Sequence, residues 1–158
     1  IELGKLTPSQ EKLLREVMSD EFLHSMPASG IGEQVALAAL DKVGCQYSQD
    51  LRYEEGYYDC SSLVQRLYAE FGINLPSVAS TQGQYIVDNG LQVSENELRP
   101  GDLIFHSRDT NAGEFMSIGH VAIYVGNGMQ VDARGTAYGV VYRPLVPSNI
   151  GLYGRPCR

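Results

Sequence analysis

Apolar positions along this chain change rhythm near its middle. Up to about residue 86 they recur at helical spacing, and beyond about residue 102 they alternate as strands do. Leu13, Leu14, Val17, Met18 and Leu23 mark a first helix. Thr7 suits its cap, Pro8 its first helical position, and Gln10 completes a capping-box spacing. Pro27, Ser29, Gly30 and Gly32 then break the pattern. A second helix is expected from Glu33 to Val43, closed by Gly44. Residues 45–58 read as a tyrosine-rich loop. Asp59 suits the N-cap of a third helix running to Glu70, with Leu63, Val64, Leu67, Tyr68 and Phe71 as its buried stripe and Gly72 as its stop. Pro76 to Ile86 is expected to hold a short helix.

The second half predicts strands. Asp102 to His106 follows an Arg99-Pro100-Gly101 turn, and residues 107–117 are polar and loop-like. His120 to Val125 alternates, Asn127-Gly128 is a strong hairpin signal, and Met129 to Ala133 is the returning strand. Gly139 to Leu145 and Leu152 to Pro156 complete the set. Helices first and antiparallel hairpins after predict an α+β fold, with helices packed on an antiparallel meander. The break near residue 30 divides the chain into an N-terminal helical extension or linker over 1–30 and a main domain over 31–158.

Composition narrows the function classes. The net charge of −7 argues against sequence-independent nucleic-acid binding, which needs clustered Lys and Arg. It also opposes electrostatic capture by anionic membranes or wall polymers. No apolar run approaches the ~20 residues of a membrane span. The chain opens at Ile1 rather than Met, which points to a processed or excised piece of something longer. Three cysteines are too few for a disulfide scaffold. Cys45 and Cys157 are expected to be inert packing residues, with a bridge between them left open.

Two segments carry chemistry. Cys60 follows the expected cap Asp59, where unpaired amides and the helix dipole favour a thiolate and can stabilise an oxyanion. Taken alone, a buried helix cysteine is the more ordinary reading. His120 opens a strand, which holds a side chain more firmly than a loop does. Asp132 lies across the Asn127-Gly128 turn, where its carboxylate can accept the imidazole N–H, fix its tautomer and stabilise its cation. A one-residue slip in register turns Asp132 to the wrong face. The bland alternative is an exposed Asp132 paired with Arg134. No CxxC, HxxxH or HxH spacing and no phosphate-binding glycine loop occurs, so neither a metal nor an organic cofactor is expected.

These residues resemble those of the NlpC-type cysteine endopeptidases, bacterial cell-wall hydrolases with a reduced papain-like fold. The likeness covers roughly residues 33–156. It rests on Gly44-Cys-Gln-Tyr47, Asp59-Cys60-Ser61, Leu63-Val64, Gly72-Ile-Asn-Leu-Pro76, Leu98-Arg-Pro-Gly-Asp-Leu103, and Gly119-His120-Val121 through Gly128. The resemblance implies a triad of Cys60, His120 and a polar residue that falls on Asp132, where the family usually has histidine. Ser62 stands where glycine is usual and is expected to narrow the space beside the thiol. Tyr47, Asp59 and Ser61 are implied as substrate-binding residues, with Asp59 suited to a free stem-peptide amine. The implied partners are peptidoglycan stem peptides, cut at the γ-D-glutamyl–diamino acid bond. A monomer within a longer multidomain chain, secreted or associated with the cell wall, is the expected setting. Acyl transfer, an amidase on the same fold and a non-catalytic wall-binding module are the rival functions.

Overall fold

The computed structural model describes residues 30–108 and 115–157; the expected first helix lies outside them. Helix α1 spans Ile31–Asp41 and buries Val35, Ala36, Ala39 and Leu40. Two short parallel strands follow, β1 (Gln46–Tyr47) and β2 (Tyr57–Tyr58), where the sequence suggests only loop. Helix α2 (Cys60–Ala69) starts at its expected cap. Asp59 accepts the Ser62 amide at 2.7 Å, and the Ser62 hydroxyl accepts the Asp59 amide at 2.9 Å. This reciprocal box satisfies an orphan donor of the first turn and fixes where the helix begins.

Helix α3 (Ala79–Asp88) starts three residues later than Pro76 suggests. Val78 is its N-cap, extended and with no side-chain cap. Strands β3 (Gln92–Val93), β4 (Leu103–Ser107), β5 (Ile118–Gly126), β6 (Met129–Gly135), β7 (Gly139–Pro144) and β8 (Ile150–Gly154) form one antiparallel sheet in the order β3-β8-β4-β5-β6-β7. The α+β architecture agrees with the sequence. Strand β5 packs against all three helices, and its Ile118, Val121, Ile123 and Val125 are fully buried. Together with Leu63, Val64, Leu67 and Tyr68 of α2 they form the core between helices and sheet. Burying each such side chain contributes on the order of 1.5–3 kcal/mol.

Two backbone devices position the site. The β5–β6 turn runs through Asn127 and Gly128, both at positive φ, as a two-residue hairpin turn requires. At the start of β7, a Cβ on Gly139 would lie 2.3 Å from the Cys45 carbonyl oxygen, and φ there is +71°. Only glycine permits that approach. It allows the Val140 amide to donate to the Cys45 carbonyl at 2.9 Å and the Gly44 amide to the Val140 carbonyl at 3.0 Å. The segment leading into β1 is thereby bonded to the sheet. All three cysteines are free thiols, so the bridge left open for Cys45 and Cys157 is absent. Burial pushes both of those thiols up, as suits packing residues.

Candidate active site

A cleft of about 610 Å³ opens where the N-terminus of α2 faces β5 and β6. Cys60 sits at the first position of α2. The cap consumes the Ser62 amide, and the Leu63 amide bonds to the Asp59 carbonyl at 3.1 Å. Helix geometry leaves the Cys60 and Ser61 amides without an intrahelical acceptor. Ser62 is fully buried and turned back to the Asp59 backbone, outside the cleft lining, so it does not narrow the space beside the thiol.

His120 faces Cys60 from β5 and lines the same cleft. Its Nε2 lies 2.8 Å from Asp132 Oδ2. The sulfur of Cys60 lines the same cleft and is an electrostatic neighbour of the ring. With Nε2 committed to Asp132, Nδ1 is the nitrogen left for sulfur. The register explains the first contact. Val131 pairs with Ile123, so Asp132 sits one diagonal step from His120 on the same face. Asp132 is fully buried and does not pair with Arg134, whose guanidinium lies over the Tyr138 ring at 3.9 Å. Its other partners are Arg143, with Nε to Oδ1 at 3.0 Å and Nη2 to Oδ2 at 2.6 Å, and Gln130, whose amide donates to Oδ1 at 3.1 Å.

The electrostatics follow from these contacts. Burial alone disfavours a charged His120, but the hydrogen bonds to Asp132 and Cys60 and their negative charges outweigh it, raising the imidazole to about 9. Burial likewise pushes Asp132 up, and its bonds from His120 and Arg143 override that, holding the carboxyl well below the usual range. An ionised Asp132 and a protonated His120 in one cleft with the Cys60 thiol are an arrangement suited to nucleophilic acyl chemistry.

Gln130 and Arg143 escape a sequence reading centred on His120 and Asp132. Gln130 lies two residues from Asp132 on the same strand, so alternation carries its signal. Arg143 pairs directly with Gln130 across β6–β7, which is visible only once that register is known. His106, also unforeseen, pairs with His120 across β4–β5, with ring centroids 5.9 Å apart. Its Nδ1 donates to the Ser148 carbonyl at 3.0 Å, while its buried Nε2 has no partner. Burial pushes its pKa down, so it stays neutral beside the His120 cation.

Tyr47, Asp59 and Ser61, implied by the family resemblance, all line the cleft. Burial, then the charges of Cys60 and Asp59, push the Tyr47 phenol up, against the pull of Arg108. Asp59 is 5% exposed, and both its oxygens are engaged. Oδ1 receives the Ser62 amide and, at 3.3 Å, the Ser61 hydroxyl. Oδ2 lies 3.1 Å from Arg52 Nε, within ion-pairing distance though poorly aligned as a hydrogen bond. Arg52 also donates to the Ser61 hydroxyl at 3.1 Å and to the Ser77 carbonyl. The loop that carries it is gathered by Arg66 of α2, which donates to the carbonyls of Arg52, Glu54 and Tyr57 and stacks over the Tyr58 ring. Among the described residues, no group of three or more His, Cys, Asp or Glu is arranged to hold a metal ion.

The sequence pattern of the NlpC/P60 family matches residues 44–150, more than half of the chain and the whole of this site. The chain belongs to the NlpC/P60 family. Within it, the chain is 38% identical over 96 residues to a probable endopeptidase p60 of Listeria seeligeri, covering 61% of this chain and 16% of that protein. It is 33% identical over 88 residues to a gamma-D-glutamyl-L-lysine dipeptidyl-peptidase of Bacillus cereus, covering 56% and 24%. It is 35% identical over 113 residues to the bifunctional muramidase/DL-endopeptidase CwlT of Bacillus subtilis, covering 72% and 32%. The chain thus spans less than a third of the length of these curated relatives. The solved structure of NlpC2 from Trichomonas vaginalis superposes with a TM-score of 0.72 at 26% identity, over 85% of this chain and 49% of that one. The papain-like α+β fold of this NlpC/P60 domain is therefore shared with solved members.

Proposed function

We propose that this NlpC/P60 domain is a cysteine endopeptidase that cuts peptidoglycan stem peptides, with Cys60 as nucleophile, His120 as proton carrier and Asp132 as the group that orients it. The observation that carries the reading is one imidazole bonded to the buried Asp132 carboxylate at 2.8 Å and lining the same cleft as the Cys60 sulfur. With His120 raised to about 9, the imidazole holds its proton at neutral pH and is available to the leaving group. The Cys60 sulfur forms a bond to the scissile carbonyl carbon, and the Cys60 and Ser61 amides receive the oxyanion. Collapse breaks the C–N bond as the imidazolium gives its proton to the departing amine. Water then loses a proton to the imidazole, attacks the thioester and releases the sulfur.

The bond proposed is γ-D-glutamyl to diamino acid, supported by the name of the Bacillus cereus relative. Tyr47, Asp59 and Ser61 form the cleft wall on which the peptide lies. Residues 1–30 are a linker or extension, and 31–158 are the catalytic unit of a longer protein that is secreted or held at the cell wall. Among the described residues, no helix is long and apolar enough to cross a membrane. The test is digestion of purified muropeptides of known stem sequence by the wild type and by Cys60→Ala, read by mass spectrometry. Cleavage by the wild type alone is expected. Equal cleavage by both removes Cys60 as nucleophile.

A further inference from the structure

The charge of the cleft is opposite to that of the chain. The protein carries a net charge of −7, yet Arg52, Arg108 and Arg134 line the space in front of Cys60, and among the described residues Asp59 is the only carboxylate in that lining. Asp59 and Arg52 compensate each other at 3.1 Å, and the remaining capacity of Asp59 goes to the helix cap and Ser61. A peptide amine arriving there meets a carboxylate that is already neutralised. Among the described residues, no carboxylate lies within ion-pairing distance of Arg108 or Arg134. Arg134 follows Asp132 by two residues on β6 and is stiffened by Tyr138; Arg108 directly follows β4, which pairs with the His120 strand. Two guanidinium groups with no carboxylate partner among the described residues therefore sit on elements that adjoin His120. Within a walled cleft such charges focus the field and attract anions against the overall charge of the protein. A guanidinium fork matches a carboxylate in shape as well as in sign.

We infer that Arg108 and Arg134 select substrates that carry a free carboxylate beside the scissile bond, so that the domain prefers γ-glutamyl peptides with an ionised α-carboxyl over those in which it is a carboxamide. A γ-linked glutamyl residue leaves its α-carboxyl unbonded, with three carbons between it and the scissile carbonyl, so the charge is displayed near the site whenever it is not amidated. The inference rests on the stem-peptide reading above and goes beyond it by naming what the cleft discriminates.

The test uses two muropeptides that differ only in carboxylate against carboxamide at that α-position, and the full chain as wild type, Arg108→Gln, Arg134→Gln and the double variant. The wild type is expected to favour the carboxylate peptide about tenfold in kcat/KM, as one good charge-assisted contact allows. Each single variant should lower that preference, and the double variant should bring it near unity through the carboxylate peptide alone. Raising salt with the wild type should erode the same preference, which keeps the test independent of how the variants fold. Binding of both peptides to Cys60→Ala, followed by calorimetry, separates the two readings. If neither peptide is cut but Cys60→Ala binds the carboxylate form more tightly, the hydrolase reading fails and the charge inference stands. If both are cut and bound equally by the wild type, the charge inference falls and the hydrolase reading stands.

Discussion

Two buried aspartates in this domain are built almost alike. Asp132 is fully buried and gripped by the Arg143 fork, and Asp102 is 1% exposed and gripped by Arg155, with Nε and Nη2 at 2.8 and 2.9 Å. They differ in what takes the remaining capacity. Asp102 accepts the backbone amide of Arg99 at 2.8 Å and so closes the turn before β4. Arg155 also reaches the Glu97 carbonyl, joining that turn to the end of β8. Asp132 accepts an imidazole instead. A backbone amide never gives up its proton, whereas an imidazole does. The same carboxylate–arginine pair closes a turn in one place and holds an imidazole in the other, where the proposed mechanism uses it. A buried ion pair is in itself weak evidence for net stability, so the third partner decides what each is for.

The contrast breaks most plainly on substitution. Asp132→Asn is expected to lower kcat/KM about a thousandfold or more, as loss of the orienting carboxylate does in other nucleophile–histidine systems, with the protein still folded. Steady-state kinetics with circular dichroism checks this, and unchanged kcat would return Asp132 to a structural role. Asp102→Ala should do the reverse. Stranding Arg155 in a buried site costs about 3–5 kcal/mol of stability, read by denaturant unfolding, while kcat per folded molecule stays near that of the wild type. A large fall in kcat would erase the distinction between the two sites.

The finest discriminator is pH. The His120 pKa is raised to about 9, above its ordinary value, so the charged imidazole stabilises the fold fully below about 6.5, and that contribution is lost as pH rises through about 9. Activity that needs the imidazolium should fall over the same upper limb. In Asp132→Asn the limb should move down toward the ordinary histidine range, and in Asp102→Ala it should stay. A limb that ignores Asp132 would separate the imidazole from its carboxylate in function.

How much of this was legible in the sequence depends on the range of each contact. The start of α2 was readable because Asp59, Cys60 and Ser62 settle it among themselves. The diagonal meeting of His120 and Asp132 was readable because Asn127-Gly128 sets the hairpin that joins them. The α+β order followed from the switch in apolar spacing. What escaped reading is held from far along the chain. β3 exists because Gln92 and Val93 find Gly154 and Tyr153. β1 and β2 form inside a segment with no strand rhythm. Arg143 reaches Asp132 only through the register of another hairpin. Pro76 misleads because proline suits a helix start, yet residues 76–78 remain outside the helix before Ala79 takes over.

Gly139 gives the cleft its mechanical character. Because the Cys45 carbonyl nestles against that hydrogen-only α-carbon, the wall bearing Tyr47 is stitched to the sheet that bears Asp132. On that side two backbone hydrogen bonds tie the slot shut against widening, so the proposed peptide would have to fit it rather than spread it. Under the proposed function, less ordering would then be left for the moment of capture, and discrimination would reside in a shape already set.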